Sequence, residues 1–266
     1  MPVCPPMESA PLVCRSFSDA TSSGSSAAAK PLAALDAPDI AAWRDTRLHQ
    51  VTPASVQRDL NWLRAALRLA RDEWRWTERD PLRGMKLPGE NPPRTRRVSP
   101  AEVRAICRAL HYRTGHVPQS KTQEVALAFL VALRTGMRAG EVLALGANTL
   151  DLRRRVARVP HKMQYLTGKP REVPLTRAAV RLLTTVAHRD PCLQISSASL
   201  DALFRKTRDR LGIHDLHFHD SRAEALTRLA RKVNVLTLAR VSGHADLKML
   251  SRVYYRETAE DIAARI

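Results

Sequence analysis

The sequence predicts a mainly α-helical protein with a small β-hairpin or sheet. Long stretches place apolar residues three and four positions apart, the spacing of helices with one buried face. The region from about 149 to 175 has a β pattern instead, because the β-prone runs RVARV and REVPL flank a polar turn that contains glycine. With 266 residues, the chain is long enough for one large domain or two smaller ones with cores of their own.

Residues 1–31 are rich in serine and alanine and show no hydrophobic period. Such a composition buries too little apolar surface to fold alone, so we expect a flexible leader. Prolines and a glutamate stand where a secretory signal needs a basic end and an unbroken apolar run.

Residues 32–80 have the pattern of a small helical domain. Thr52 followed by Pro53 predicts the start of a long helix, and Ile40 and Trp43 mark an earlier one. The apolar stripe of the long helix comprises Val56, Leu60, Leu63, Leu67, Ala70 and Trp74. Its opposite face carries Arg58, Arg64, Arg68 and Arg71. Surface arginines are usually only solvated, but so many on one helix suit the phosphate backbone of a nucleic acid.

Residues 81–98 predict an extended basic linker. From residue 80, the run DPLRGMKLPGENPPRTRR holds four prolines and two glycines, with five basic residues against two acids. Prolines and glycines interrupt helices, and the charge suits a segment that crosses a polyanion. We expect Arg94, Arg96 and Arg97 to contact the same phosphate backbone, and a plain spacer is the alternative.

Residues 99–266 predict a second, larger domain. It opens with SPAE, in which Ser99 and Glu102 can form a capping box. The nearly all-apolar helix EVALAFLVALRTG ends at Gly136, a residue typical of helix C-termini. Beyond the β-prone runs the pattern is helical again, and one face holds Leu200, Leu203, Phe204 and Leu211.

Net charge and cysteine usage limit the function classes. The net charge of +18 and the pI of about 10.9 favour a polyanionic partner, with nucleic acid first and an anionic membrane surface second. No apolar run approaches the roughly 20 residues of a membrane span. The four cysteines contain no close pair, which argues against a zinc site or a disulfide framework and favours a reducing intracellular compartment.

Polar residues stand beside apolar runs at two places. Arg138 and Glu141 lie three apart at the start of an apolar helix, so they share a face and can pair. His219 and Arg222 have the same spacing in LHFHDSRAEALTRLA. Two arginines and a histidine would together suit a phosphate. Taken singly, each pair has a simpler explanation, an internal salt bridge or a capped helix with a surface histidine.

Four more residues join these two pairs as candidate site residues. Lys162 lies beside the β-prone runs, where a lysine is usually a surface charge. His244 follows a serine–glycine helix stop, and we expect it to open the helix that ends in the adjacent tyrosines Tyr254 and Tyr255.

In this order, the residues resemble the tyrosine recombinases of the phage integrase family. TGMRAGEVLAL and SGHADLKML are close to two motifs of that family, with HxxR between them. The resemblance covers about residues 32–266. It implies a helical core-binding domain over 32–80 and a tyrosine-recombinase catalytic domain over 99–266. The implied partner is double-stranded DNA, bound by a homotetramer on two sites.

The chemistry implied by the resemblance is attack of a tyrosine hydroxyl on a DNA phosphodiester. A 3′-phosphotyrosyl bond and a free 5′-hydroxyl result, and the covalent bond conserves the energy needed for rejoining. Arg138 and Arg222 would clamp the phosphate oxygens, and Glu141 would hold Arg138 in place. Neither a metal ion nor a small-molecule cofactor is expected.

The proton transfers implied by the resemblance need three further side chains. Lys162 would protonate the leaving 5′-oxygen, and Lys169 in TGKPREVPL is a rival for that role. His219 would help to remove the tyrosine proton, whose usual pKa near 10 is too high for neutral pH. His244 would donate another hydrogen bond to the phosphate.

The nucleophile departs from the pattern of the family. Family members usually carry the nucleophile nine residues after the histidine of the motif that SGHADLKML resembles. That histidine is His244 here, and the position nine residues later holds Val253. Tyr254 and Tyr255 follow directly, and neighbouring helical residues point about 100° apart, so only one can aim at the phosphate. We favour Tyr254, with Tyr255 as the alternative. The residue after Arg222, often histidine in the family, is alanine here.

Other functions and placements stay open at this stage. A type IB topoisomerase shares the nucleophile and the arginines, and the displaced tyrosine also fits a DNA-binding protein of recombinase descent that no longer cuts. The tail with Ile262 and Ile266 suits docking on a neighbouring protomer or packing on its own domain. We expect a cytoplasmic, nucleoid-associated protein in a prokaryotic or phage context.

Overall fold

The structure is a computed structural model that describes residues 30–89, 94–160 and 168–255, with Glu260 and Ala263. It divides the chain into two compact units, Met1–Pro93 and Arg94–Ile266. The division falls inside the stretch 81–98 that the sequence marks as a linker. Lys162, the tail isoleucines and nearly all of the leader lie outside the described residues.

The first unit is built on two helices. A 3-10 turn at Leu32–Ala34 precedes α1 (Ala37–Leu48) and α2 (Pro53–Asp72). Asp36 and Asp39 form a capping box that satisfies the first N–H groups of α1. Pro53 begins α2 as predicted, since the missing N–H of proline costs nothing in a first turn.

The core of the first unit contains the predicted stripe except at its end. Ile40, Val56 and Leu60 are fully enclosed, and Leu82 joins them at 4% exposure. The start of the stretch 81–98 therefore packs on this unit. The prediction that Trp74 is buried is wrong: α2 ends at Asp72, and Trp74 is 48% exposed and packs against Trp76.

The second unit is mainly helical. The capping box of Ser99 and Glu102 opens the first helix, and Gly136 ends the second in the left-handed conformation, as predicted. The helices are α3 (Pro100–Ala109), α4 (Lys121–Thr135), α5 (Ala139–Leu143), α6 (Arg177–Leu183), α7 (Ser197–Arg210), α8 (Asp220–Ala230), α9 (Val235–Ser242) and α10 (Leu247–Tyr254). None of the helices in the described ranges is long and apolar enough to cross a membrane.

The small sheet is antiparallel, in the order β1 (Leu150–Asp151), β2 (Val156–Val159), β3 (Arg171–Pro174). Ala157 pairs with Val173, and both are buried. The exposed pair Arg158 and Glu172 alternates with them, as the period of two in a strand requires. The predicted fold class, mainly α with a small sheet, is confirmed.

Helix α4 lies at the centre of the second core and positions the site. Nearly every side chain from Glu124 to Leu133 is buried, and Phe129 packs against Phe204 and Phe218. Helix α8 packs directly on α4. The HxxR motif is therefore held against the rigid centre of the unit, beside the turn that follows Gly136.

Candidate active site

Arg138 and Glu141 form one end of the site. Arg138 is the N-cap of α5, and its backbone N–H donates to Glu141 Oε2 at 2.9 Å. Its Nη1 donates to Glu141 Oε1 at 3.0 Å. The Glu141 side chain is 9% exposed, whereas that of Arg138 is 44% exposed. The carboxylate thus orients a guanidinium that still faces solvent.

Arg222 is the buried cation of the site, with a side-chain exposure of 3%. Its Nη1 donates to Gly136 O at 2.5 Å and its Nη2 to Ser242 O at 2.8 Å. Burial and the charge of Arg138 lower the pKa of Arg222 to about 10, and Glu141, 3.9 Å away, opposes that shift. The local charge is therefore positive and would be stabilised by an anion.

His244 lies directly beside Arg222. Its Nε2 is 3.4 Å from Arg222 Nη2, and its Nδ1 is 2.7 Å from Ser242 Oγ. Burial, followed by the charges of Arg222 and Arg138, lowers the pKa of His244 to about 4. The imidazole is therefore neutral at pH 7. The helix after His244 starts later than predicted, at Leu247, because Asp246 caps its first N–H groups.

His219 is the N-cap residue of α8 and is exposed. The protein atoms around the ring still desolvate it in part although the residue is open to solvent, and this lowers its pKa; the charges of Arg222 and Arg138 act in the same direction, and Asp220 opposes them. A histidine with a lowered pKa is neutral at pH 7 and can accept a proton.

The two tyrosines have different surroundings. Tyr254, the last residue of α10, is partly buried and interacts electrostatically with Arg222. Burial raises the pKa of Tyr254, and Arg222 opposes that shift. Tyr255 donates a hydrogen bond from its hydroxyl to Val233 O at 2.6 Å. Tyr254 therefore interacts with the buried cation Arg222, whereas a backbone carbonyl accepts from the hydroxyl of Tyr255.

One of the two candidate lysines lies in the described residues. Lys162 falls in the segment 161–167, outside the described residues. Lys169 is exposed in the bend that precedes β3. The role of either lysine stays a prediction.

The basic segment 94–97 is occupied by ion pairs within the second unit. Arg94 places Nε and Nη2 at 3.1 and 3.0 Å from the two carboxylate oxygens of Asp220, and it also pairs with Asp215 at 3.0 Å. The other pairs join Arg96 to Glu102 and Arg97 to Glu224, each at 2.5 Å. These carboxylates compete with any phosphate for the three arginines, whose DNA contacts stay a prediction.

The arginines of α2 have fewer acidic partners among the described residues than the arginines of segment 94–97. Arg58 and Arg68 are exposed and form no ion pair with a described residue. Arg64 bonds to the amide of a neighbouring asparagine at 3.4 Å. Arg71 pairs with the exposed Asp72 at 2.7 Å. This face remains compatible with a phosphate backbone.

Arg171 is a site residue that the sequence reasoning missed. It begins β3, its side chain is 8% exposed, and its Nη2 lies 2.7 Å from Glu141 Oε1. The alternation of the strand could have revealed it, because Arg171 shares a face with Val173, which is fully buried.

No group of three histidine, cysteine or acidic side chains within the described ranges could hold a metal ion. The arrangement is instead a cluster of guanidinium and imidazole groups around one carboxylate. Such a cluster has the positive charge and the hydrogen-bond donors that binding and polarising a phosphate group would require.

Comparisons with known proteins agree with this geometry. The phage integrase family matches residues 96–261. A Haemophilus influenzae protein named "Putative integrase/recombinase" is 37% identical over 231 residues, which cover 85% of this chain and 74% of that protein. The shufflon-specific DNA recombinase of Escherichia coli is 32% identical over 227 residues, which cover 80% of this chain and 56% of that protein.

A solved structure shares the fold. The Tn1549 transposon integrase, in complex with circular intermediate DNA, has a TM-score of 0.68 at 16% identity. The match covers 89% of this chain and 86% of that one. At this identity the likeness concerns the fold alone.

Proposed function

The chain belongs to the phage integrase family, whose activity is site-specific DNA recombination, and we propose that it cuts and rejoins DNA with Tyr254 as its nucleophile. The observation that carries the proposal is the cluster of Arg138, Arg222 and His244 on one anion-binding surface, with Tyr254 coupled electrostatically to Arg222.

In the proposed reaction, Tyr254 Oη forms a bond to the phosphorus as the bond between phosphorus and the 5′-oxygen breaks. The tyrosine proton passes to His219, which is neutral at pH 7 because its pKa is lowered. A lysine, Lys162 or Lys169, gives a proton to the departing 5′-oxygen. The 3′-phosphate stays on the tyrosine, and a 5′-hydroxyl from another strand reverses these steps.

The charge that develops on the phosphate is stabilised by groups that are already in place. Arg222 is fixed by two backbone carbonyls, and Glu141 fixes Arg138. Such pre-oriented donors lower the barrier because they need no rearrangement as charge accumulates. His244 contributes a hydrogen bond at the same surface. We also propose that this positive charge makes a metal ion unnecessary, so cleavage should persist in EDTA.

The hydrogen bond of the Tyr255 hydroxyl supports the choice of Tyr254 as the nucleophile. The hydroxyl of Tyr255 is engaged by Val233 O, and releasing it would cost a hydrogen bond worth about 1 kcal/mol. Burial raises the pKa of Tyr254, so its hydroxyl depends on a nearby base and on the arginine charges for activation.

A nicked suicide duplex that carries the recognition site tests the proposal. The parent chain and the matched control Tyr255→Phe should both give a covalent protein–DNA band, whereas Tyr254→Phe should give none. The opposite pattern would assign the reaction to Tyr255. No band in any of the three would favour a DNA-binding protein that does not cut. Relaxation of a plasmid without the site would favour a topoisomerase.

We propose two duplexes of double-stranded DNA as the substrate of a homotetramer in the cytoplasm of a prokaryotic cell. Strand exchange between two sites needs four cleavages. Since the described residues of each chain offer one site, that of Arg138, Arg222 and Tyr254, four chains are needed. Sedimentation of the complex with DNA should give four chains per pair of sites. A complex of one or two chains that still completes exchange would contradict the tetramer.

A further inference from the structure

We propose that Arg171 is a positioning residue of this active site, which holds the Glu141 carboxylate and the turn of His244 in one fixed arrangement. The inference rests on the proposed function, because the arrangement matters most if Arg138, Arg222 and His244 act on one phosphate. Arg171 itself is buried and belongs to the sheet, so it acts through these residues.

The first contact of Arg171 is with Glu141. Glu141 Oε1 is 2.7 Å from Arg171 Nη2 and 3.0 Å from Arg138 Nη1, so two guanidinium groups share this oxygen. Glu141 Oε2 accepts from the backbone N–H of Arg138 and lies 3.9 Å from Arg222 Nη1. Without Arg171, the carboxylate would keep its hydrogen bonds from Arg138 but could turn toward Arg222, and the orientation of Arg138 would be less fixed.

The second contact is with the end of α9. Arg171 Nη1 donates to Val241 O, one residue before Ser242. Ser242 in turn accepts from Arg222 through its carbonyl and contacts His244 through its hydroxyl. One guanidinium therefore joins the sheet to the turn that presents His244.

Gly243 shows how closely this turn fits around Arg171. A Cβ at Gly243 would lie 2.9 Å from Arg171 Nε and 3.1 Å from its Cδ. Gly243 also adopts a φ of 70°, which favours glycine. The turn thus needs glycine for its conformation and for the approach of Arg171.

Charge gives Arg171 a second effect on the site. Three arginines surround the single carboxylate of Glu141, which leaves a net positive charge that an incoming phosphate would balance. Arg171 is among the charges that lower the pKa values of Arg222 and His244. Removing its charge should therefore raise the pKa of His244.

Single-turnover cleavage of the suicide duplex at saturating DNA tests the inference, with DNA affinity measured separately. Arg171→Met should slow cleavage on the order of 100-fold, since misplaced catalytic groups cost that much, and should change the DNA Kd by no more than about threefold. Arg171→Lys keeps the charge but cannot bridge both partners, so it should recover about tenfold of the lost rate. Arg158→Met, an exposed arginine of the same sheet, is the matched control and should stay within about twofold of the parent.

A second readout does not depend on cleavage. Titration of the histidine ring signals by NMR, with His244→Gln for assignment, should show a higher pKa for His244 in Arg171→Met and a smaller change in Arg171→Lys. If the parent chain does not cleave but His244 responds in this way, the proposed function fails, whereas the contact of Arg171 with the turn of His244 stands. Unchanged cleavage by folded Arg171→Met would overturn the positioning role of Arg171. Failure of Arg171→Met and Arg171→Lys to fold would do the same and would leave Arg171 a structural residue.

Discussion

Two basic regions of this protein look alike in sequence but have opposite surroundings. The α2 helix of the first unit presents Arg58 and Arg68 to solvent without an ion pair to a described residue. In the second unit, Arg94 and Arg97 each make a forked contact with a carboxylate that is 3% exposed. The difference shows that a count of basic residues does not separate those available to DNA from those that hold the fold together.

The carboxylate partners explain the difference. Asp220 and Glu224 project from α8, the helix that also carries Arg222, and they would be costly to bury without cationic partners. Arg94 and Arg97 therefore attach the start of the second unit to the helix of the HxxR motif. The α2 face has no comparable buried acid, and its pair of Arg71 with Asp72 is exposed.

The largest expected effect comes from removing Glu224. It pairs with Arg97 and Arg228 and accepts from the backbone N–H of Val98. Glu224→Ala should lower the free energy of unfolding of the second unit by roughly 3 kcal/mol, because a buried N–H loses its acceptor and a buried ion network is broken. Urea denaturation of the parent chain and the variant measures this loss in the free energy of unfolding.

The matched control for this prediction is Asp209→Ala, which removes an exposed partner of Arg208 in the same unit. Exposed pairs contribute about 0.2–1 kcal/mol. Equal losses in the two variants would mean that the Glu224 network is no more important than a surface pair, and the contrast between the two basic regions would disappear.

Acid should weaken the same network. Burial alone would raise the pKa of Glu224, but its hydrogen bonds from Arg97 and Arg228 outweigh burial and lower the pKa to about 2, from an ordinary value of 4.5. The stabilisation is therefore complete above pH 4.5 and is lost as the pH falls toward 2. Since both arginines are about half exposed, we expect a loss of roughly 2 kcal/mol.

Urea denaturation at several pH values would measure this loss, with Glu224→Gln as the comparison. The glutamine variant should be less stable at pH 7 but should lose less stability between pH 4.5 and 2. Parallel curves for the two proteins would mean that other carboxylates, such as Glu102, account for the acid sensitivity.

The sequence predicts those features whose interacting residues lie close together along the chain. The capping box at Ser99 and the end of α4 at Gly136 were predictable, because the residues that cause them lie within four positions. The partners of Arg94 and Arg97 lie 126 and 127 residues away, so no local pattern distinguishes these arginines from those of α2. The ion pairs appear only when the fold is known.

The candidate site shows the same limit. Arg138, Arg222 and His244 could be named from the order of their motifs, and the structure brings them together. Arg171 was missed because it has no motif of its own and gains its contacts from α5 and α9. Trp74 was placed in the core because the helical spacing continued past the residue at which α2 ends.

The next smaller effect concerns DNA affinity. Replacing the α2 arginines Arg58, Arg64 and Arg68 by glutamine should leave the stability within about 0.5 kcal/mol but should weaken DNA binding. If each of the three arginines contacts a phosphate, the plot of the log of the DNA-binding constant against the log of the salt concentration should become less steep, by roughly 2 to 3 in the magnitude of its slope. Fluorescence anisotropy over a salt series measures the slope.

The contrasting variant replaces Arg94 and Arg97 by glutamine. Because both are engaged by buried carboxylates, it should lower stability and change the salt slope by less than about 1. A larger change in slope than that of the α2 variant would show that DNA displaces Asp220 and Glu224. In that case the two regions would have the same role.

The smallest effect is expected at the exposed pair of α2. Asp72→Asn removes the carboxylate 2.7 Å from Arg71 and should leave the urea midpoint of the first unit essentially unchanged, because exposed charges are well hydrated without each other. It should also tighten DNA binding by up to about threefold at low salt, since a negative charge beside Arg71 is lost while Arg71 keeps its longer contact with Asp80 at 3.5 Å. If instead the urea midpoint falls clearly, Arg71 holds the fold as Arg97 does, and α2 is not an open surface for phosphate.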